Sequence, residues 1–152
     1  MKERGGPPDM ETLLADGRVR TARADFDALE ATLVAAERDI AASAEVAAQH
    51  PGWSEAMLYE AGLRSARAIV QAHGFRISSH GGHVAAIDAA DALTVGRHHR
   101  TFVRLHRMRR MRHDFMYETA PEPSRQDLDQ AERDVTSLIA IARQAVAANR
   151  GG

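Results

Sequence analysis

The amino-acid sequence predicts an all-α fold, a bundle of four main helices plus short helices. Three observations predict it. Alanine is abundant, while β-branched residues are few and aromatic residues make up only 5% of the chain, which favours helix over strand. Apolar residues recur at three- and four-residue spacing over long stretches. The length of 152 residues fits one domain that can bury an ordinary core.

The domain is expected to span residues 13–149, after a flexible N-terminus of residues 1–12 that is rich in glycine and proline. We expect no signal peptide, since no apolar run follows the first charges, and no stretch approaches the roughly 20 apolar residues of a membrane span. The chain has no cysteine, which excludes disulfides and thiolate chemistry. A cytoplasmic protein without a membrane partner is therefore expected.

The first half of the chain is predicted to contain two long helices. One runs from about 21 to 48 and carries a single apolar stripe. The other runs from about 53 to 73 and ends at Gly74, a residue typical of C-terminal caps. We expect the aromatic side chains of Trp53 and Tyr59 to lie in the core.

The second half is predicted to contain a short helix, a basic helix and a last long helix. The short helix covers about 84–93, and the basic helix covers about 97–118. Ser124 with Asp127 three residues later predicts a capping box at the start of the last helix, which continues to about residue 148.

The basic helix dominates the charge distribution. Between Arg97 and His113 the sequence holds seven arginines, four histidines and no acid, although the net charge of the whole chain is −1. Lysine occurs only at Lys2, so nearly every cation is a guanidinium, which suits bidentate binding of phosphate. The sequence therefore predicts one cationic surface for phosphate or for an acidic partner.

Arg112 projects into the middle of the apolar arc of this helix, where a guanidinium is costly unless it is paired or used. One alternative is that it pairs with Asp114 or with a carboxylate on a neighbouring helix. The other is that it points into a cleft or subunit interface where a phosphate binds, with His113 and Tyr117 beside it. In that case His113 serves as a neutral base at pH 7, because nearby arginines disfavour its protonated form.

Two histidine pairs and two glycine clusters are weaker candidates for a site. We expect no metal ion at His80 and His83 or at His98 and His99, because these histidines lack nearby acids or diverge around a helix. The glycine clusters at 74–76 and 81–83 are preceded by no predicted strand. This excludes a Rossmann-type or P-loop phosphate site, and no cofactor is expected.

The segment Arg112-His113-x-x-x-Tyr117 resembles the motif of HEPN domains (higher eukaryotes and prokaryotes nucleotide-binding), small helical bundles that usually dimerise. Their motif is an arginine, commonly followed by Asn, Asp or His, with a histidine a few residues later. An ordered set of segments between residues 13 and 118 resembles a bacterial subgroup of the family. The segments are Ala15-Asp16-Gly17-Arg18-Val19, Ala35-Ala36-Glu37-Arg38-Asp39-Ile40, Leu58-Tyr59-Glu60-Ala61-Gly62-Leu63, Gly74-Phe75-Arg76, Gly81-Gly82-His83 and Arg107-x-Arg109-Arg110-x-Arg112-His113-x-x-x-Tyr117.

The resemblance implies RNA cleavage without a metal ion, as in many members of the family. Arg112 then stabilises charge on the phosphate, His113 matches the polar residue after the arginine, and Tyr117 stands where the family has its histidine. A phenol is a poor base at neutral pH, although it can donate a hydrogen bond. A second alignment pairs Arg107 with His113. The basic side chains expected to contact RNA or another phosphate are Arg107, Arg109, Arg110 and His106.

Three functions follow as hypotheses. The first is a HEPN-like, metal-independent endoribonuclease, a toxin-like effector of a toxin–antitoxin or phage-defence system, acting through Arg112 with His113 and Tyr117. The second is a catalytically inactive HEPN-like module that binds RNA, nucleotide or a protein partner. The third is a structural dimer whose arginines pair across the interface. A homodimer is expected, and the resemblance implies a cognate antitoxin or nucleotidyltransferase-like protein as a partner.

Overall fold

A computed structural model describes residues 9–79, 81–117 and 121–151. Within these ranges the chain forms six helices and one two-stranded sheet, so the predicted helical class is confirmed. The elements in chain order are α1 Met10–Ala15, β1 Val19–Thr21, α2 Phe26–Val46, α3 Pro51–Ala72, β2 Phe75–Ile77, α4 Gly82–Leu93, α5 His99–Tyr117 and α6 Arg125–Arg150. Residues 1–8 of the expected flexible N-terminus, the candidate ligand His80 and the expected helix end at residue 118 lie outside the described residues.

The sheet corrects two predictions. β1 and β2 pair in antiparallel fashion, with Val19 opposite Ile77, so a strand does precede the second glycine cluster. Thr21 belongs to β1, and α2 begins only at Phe26, because the Asp25 side chain accepts a hydrogen bond from the Ala28 amide and caps the helix there. A two-stranded antiparallel sheet is not the parallel sheet of a Rossmann-type fold, so that class remains excluded on different grounds.

α3 is the central helix, and it packs against α2, α4, α5 and α6. Tyr59 on α3 is fully buried, as predicted. Two glycines of α3 allow α5 to approach closely. A Cβ atom at Gly62 would lie 2.6 Å from Leu105 Cδ1, and one at Gly52 would overlap the ring of Phe115. The position of α5 therefore depends on glycine, which has no side chain, at Gly52 and Gly62 of α3.

α5 is held by an apolar face and by polar contacts to acids on α4 and α6. Phe102, Leu105 and Met108 of the predicted apolar arc are buried. Two of the polar contacts are hydrogen bonds, His99 Nδ1 to Asp91 Oδ2 at 2.6 Å and His106 Nε2 to Asp88 Oδ1 at 2.7 Å. The third is the ion pair of Arg104 with Asp134, with Nε to Oδ2 at 2.7 Å and Nη2 to Oδ1 at 2.9 Å. These side chains of the basic helix thus serve packing.

Two further predictions have clear outcomes. The capping box of α6 is confirmed, since the Ser124 hydroxyl accepts from the Asp127 amide and the Asp127 carboxylate accepts from the Ser124 amide. The expectation that Trp53 lies in the core is wrong. Trp53 is 49% exposed, and its ring stands edge-on against Phe115 with centroids 5.1 Å apart. None of the described helices is both long enough and apolar enough to cross a bilayer.

Candidate functional site

A cleft of about 360 Å³ lies between the C-terminal half of α5 and the start of α4. We name it the α5 cleft. It is lined by Tyr59, Gly81, Gly82, His83, Val84, Arg109, Arg112, His113 and Tyr117. Its volume falls in the range of small-molecule sites. The cleft brings together the three residues expected to form the catalytic site and one of the four expected to bind phosphate.

Arg112 faces this cleft and is only loosely paired. Its Nε lies 3.9 Å from Oε2 of Glu60 on α3, beyond hydrogen-bond distance, and the guanidinium carbon lies 6.0 Å from the centroid of the Tyr59 ring. The side chain is 33% exposed. Arg112 therefore combines a nearby carboxylate with a place at a cleft, and phosphate binding there stays a prediction. A carboxylate on a neighbouring helix stands near Arg112, while the N–H groups of the guanidinium make no hydrogen bond within the described residues.

Arg109 contributes a second guanidinium at the same cleft, one helical turn from His113. Its Nε is buried and has no hydrogen-bond partner among the described residues. A buried donor without an acceptor costs about 1–3 kcal/mol, and more when the group is charged. Because this nitrogen has almost no accessible surface, an anion in the cleft would be attracted by the charge of Arg109 and would not bind its Nε.

Tyr59 lines the cleft and forms a hydrogen bond with His83. Its hydroxyl lies 2.9 Å from Nδ1 of His83. Burial raises the pKa of Tyr59 to about 12, so the phenol keeps its proton at neutral pH. The hydroxyl makes no other hydrogen bond within the described residues, so we assign its O–H as the donor and His83 Nδ1 as the acceptor. Neutral His83 then carries its own proton on Nε2 and is a hydrogen-bond donor through that atom.

The charge state of His83 agrees with this assignment. Burial lowers the pKa of His83, and Arg67 lowers it further, against the opposing effect of Glu60 and together with smaller effects of Arg112 and Arg109. The sequence predicted that arginines keep His113 neutral. In the structure, burial and neighbouring guanidinium groups together lower the pKa of a different histidine, His83. The sequence pattern predicted no function for His83. The signal available was its place in Gly81-Gly82-His83, which does not reveal that α4 begins beside α5.

His113 and Tyr117 stand at the solvent edge of the cleft. Both are exposed, Tyr117 to 74%, and their ring centroids are 5.0 Å apart. One turn of α5 separates them, so their side chains lie on the same side of the helix. They are placed to meet a ligand that enters from solvent.

The remaining expected phosphate contacts lie elsewhere. His106 is occupied by Asp88 of α4. Arg107 lines a separate cavity of about 80 Å³ with Glu55 and Asp127, on the side of α5 that faces α6. Arg110 is exposed and is not among the lining residues of the α5 cleft. The second motif alignment, which pairs Arg107 with His113, therefore joins residues on different sides of α5.

In the part of the chain that the structure describes, no group of three or more His, Asp or Glu side chains is arranged to hold a metal ion. Two of the four histidines considered as metal ligands have other partners, since His99 pairs with Asp91 and His83 with Tyr59.

Comparison with known proteins adds no relative to this picture. The chain matches no protein-family model, no curated protein and no solved structure.

Proposed function

We propose that this protein is a HEPN-like endoribonuclease that cleaves RNA in the α5 cleft without a metal ion. One observation carries the proposal. Two guanidinium groups and two imidazoles, from Arg109, Arg112, His83 and His113, line one cleft, and the carboxylate of Glu60 comes only to 3.9 Å from Arg112 Nε. Such a set of donors binds the anionic phosphodiester and can also move protons at it.

The reaction that suits this set is transfer of the RNA phosphoryl group to its own 2′-hydroxyl. A base removes the 2′-hydroxyl proton, the 2′-oxygen forms a bond to phosphorus, and the bond from phosphorus to the 5′-oxygen breaks. An acid gives a proton to that 5′-oxygen. The products are a 2′,3′-cyclic phosphate and a 5′-hydroxyl. The proton that leaves the 2′-oxygen is balanced by the proton that reaches the 5′-oxygen, so the step needs an unprotonated base and a proton donor but no further reactant.

Each side chain has a role that follows from its surroundings. Arg112 and Arg109 stabilise the negative charge that grows on the phosphate oxygens in the transition state. His83, kept neutral with its proton on Nε2, donates a hydrogen bond to a phosphate oxygen instead of acting as the base. His113, exposed at the edge of the cleft, is the group that transfers the proton, with the Tyr117 hydroxyl beside it as a donor.

The proposal is tested by incubating the purified protein with total cellular RNA and with defined oligonucleotides in the presence of EDTA. We expect cleavage that leaves cyclic phosphate ends, and a loss of about 10²–10³ in rate for Arg112→Ala, the usual cost of one transition-state contact. Arg100→Ala is the matched control, since Arg100 is an exposed arginine at the other end of α5. Cleavage that EDTA abolishes, or that Arg112→Ala leaves intact, would contradict the proposal.

A second set of variants identifies the proton-transfer group. We expect His113→Ala to abolish cleavage and Tyr117→Phe to reduce it only slightly, because an imidazole titrates near neutrality and a phenol does not. Tyr117→His restores the residue that the resemblance leads us to expect there, and it should raise the rate. The reverse pattern, with Tyr117→Phe inactive and His113→Ala active, would assign proton transfer to the phenol.

A second candidate function is a HEPN-like module that binds RNA without cleaving it. The observation that favours it is Tyr117 itself, which occupies the position of the family histidine. In that case wild type and Tyr117→His are equally inactive, while Arg112→Ala weakens the binding of RNA. The same set of proteins therefore separates the two functions.

A further inference from the structure

A second basic cleft adjoins the α5 cleft. It has a volume of about 460 Å³ and lies against β2 and the end of α3. We name it the β2 cleft. The residues that line it include Arg67, Gln71, Arg76, Ser78, Ser79 and Gly82, and no carboxylate is present in its described lining. Gly82 belongs to both clefts.

The two clefts meet at Gly82, which lines both of them. This residue has a φ of +64°, and the position of a Cβ atom there would have no heavy atom within 4 Å. Arg67, which lines the β2 cleft, also lowers the pKa of His83 in the α5 cleft. An extended anion that passes Gly82 would therefore reach both clefts.

The arginines at the β2 cleft carry unbalanced charge. Arg76 on β2 stands directly opposite Arg20 on β1, and both side chains are exposed. Like charges directly opposite each other in a sheet are destabilising. Within the described residues neither of them, nor Arg67, forms an ion pair with a carboxylate, whereas Arg64, one turn earlier on α3, is paired with Asp39 at 3.1 Å. An anion between these arginines would relieve the repulsion.

We infer that the β2 cleft binds a second phosphate of the same RNA strand whose scissile phosphate lies in the α5 cleft. This inference rests on the proposed function, and it names the substrate class as single-stranded RNA with at least two phosphates, not a mononucleotide. Gln71 and Ser79 supply amide and hydroxyl groups for phosphate and ribose oxygens. The described lining has no aromatic side chain on which a base could stack, so the contact is made to the backbone and does not depend on base identity.

The RNA-binding surface inferred from the structure differs from the one that the sequence predicted. The charge of α5 predicted contacts at Arg107 and Arg110. The path from the α5 cleft leads away from them, toward β2 and α3. Arg107 shares its cavity with Glu55 and Asp127, an acidic setting that disfavours phosphate.

The test measures binding of two probes to the full chain by fluorescence anisotropy and calorimetry. One probe is a decamer of 2′-O-methyl uridine, and the other is a 2′-O-methyl dinucleoside monophosphate with a single phosphate; neither can be cleaved by attack of a 2′-hydroxyl. We expect Arg67→Ala and Arg76→Ala each to weaken decamer binding about tenfold, the effect of removing one hydrogen bond to a charged group. The slope of log Kd against log salt concentration should decrease by about 0.7 for each arginine that is replaced. Binding of the dinucleotide should stay unchanged.

Arg64→Ala is the control on the same helix, because its charge is paired with Asp39 and it lies outside the cleft. Decamer affinity that is equal in wild type, Arg67→Ala and Arg76→Ala would overturn the inference. So would equal weakening of both probes, or binding of decaglutamate with the affinity and Arg67 dependence of the decamer, which would indicate an acidic protein partner.

The outcome separates this inference from the proposed function. If wild type cleaves RNA and Arg112→Ala does not, while both cleft variants bind the decamer normally, the nuclease stands and the second subsite is wrong. If no RNA is cleaved but decamer binding depends on Arg112, Arg67 and Arg76, the subsite stands and the catalytic proposal is wrong.

Discussion

At the scale of single residues, the hydrogen bond between Tyr59 and His83 determines which group His83 presents to an anion in the α5 cleft. The buried phenol keeps its proton near neutral pH, and we assign its O–H as the hydrogen-bond donor to Nδ1 of the imidazole. The imidazole therefore presents an N–H group from Nε2. A histidine used in this way binds phosphate oxygens without carrying a charge, while the charge is supplied by Arg109 and Arg112.

This arrangement predicts the tautomer of His83. In ¹⁵N NMR spectra we expect neutral His83 to carry its proton on Nε2, and to mix both tautomers in Tyr59→Phe, which has no hydroxyl to donate. His73 is an internal control of the opposite tautomer, because its Nδ1 lies 2.8 Å from the Ile69 carbonyl oxygen, which can only accept. A wild-type His83 protonated on Nδ1 would contradict the assignment.

The lowered pKa of His83 also links it to stability. The unfolded residue titrates near 6.5, and the folded residue titrates at a lower pH. As the pH falls below 6.5 the unfolded chain binds the proton first, so the free energy of unfolding decreases until the pH passes the folded pKa. His83→Gln keeps an acceptor for Tyr59 but does not titrate. We expect its stability to fall less than that of wild type over the same acidic range, as measured by urea denaturation.

At the scale of elements, α5 has the largest net charge of the described helices. Acids on α4 and α6 bind its His99, His106 and Arg104, and its apolar side lies on α3, where Gly52 and Gly62 leave room for it. The side that carries Arg109, Arg112, His113 and Tyr117 faces the α5 cleft. The packing of α5 thus places these four residues at one cleft, while Arg100 and Arg110 are exposed elsewhere on the helix.

The start of α6 offers a test of element stability. Ser124→Ala removes the hydroxyl that accepts from the Asp127 amide, and we expect a loss of about 1 kcal/mol in the free energy of unfolding, the usual value for an N-cap. The matched control is Ser137→Ala, an exposed position within α6, where alanine should be neutral or slightly stabilising. Equal effects of the two substitutions in chemical denaturation would show that the capping box contributes nothing.

At the scale of the whole molecule, exposed apolar side chains lie beside the α5 cleft. Trp53 is 49% exposed and Met116 is 42% exposed, with half-buried Phe115 packed against the Trp53 ring. Together with the resemblance to a family of dimers, this surface leads us to propose that two copies of the chain associate through it. The α5 cleft would then lie near the dimer interface.

Light scattering at tens of micromolar protein tests this proposal. We expect a mass near twice the 16.6 kDa of one chain, and a monomer for Trp53→Glu and Met116→Glu, because a charge at the centre of an apolar interface is costly. Val34→Glu is the control, since Val34 is 41% exposed and lies on α2. A monomeric wild type at this concentration would contradict the proposal.

Local sequence was enough to predict the helical class and the α6 capping box. These features depend on neighbours within a few residues, through apolar periodicity and cap chemistry. The β1–β2 pairing was missed because each strand has three residues and its partner lies far along the chain. Composition that favours helix overall gives no signal for such a pairing.

Which charges are used and which are free depends instead on how the helices pack. His106 was expected to contact phosphate, yet Asp88 occupies it, while His83 was set aside and yet lines the cleft with Arg109 and Arg112. The sequence does not show which acid of α4 will lie opposite which cation of α5, because that depends on how the two helices cross. The tautomer assigned to His83 likewise depends on Tyr59. This buried neighbour comes within hydrogen-bond distance only through the packing of α3 against α4.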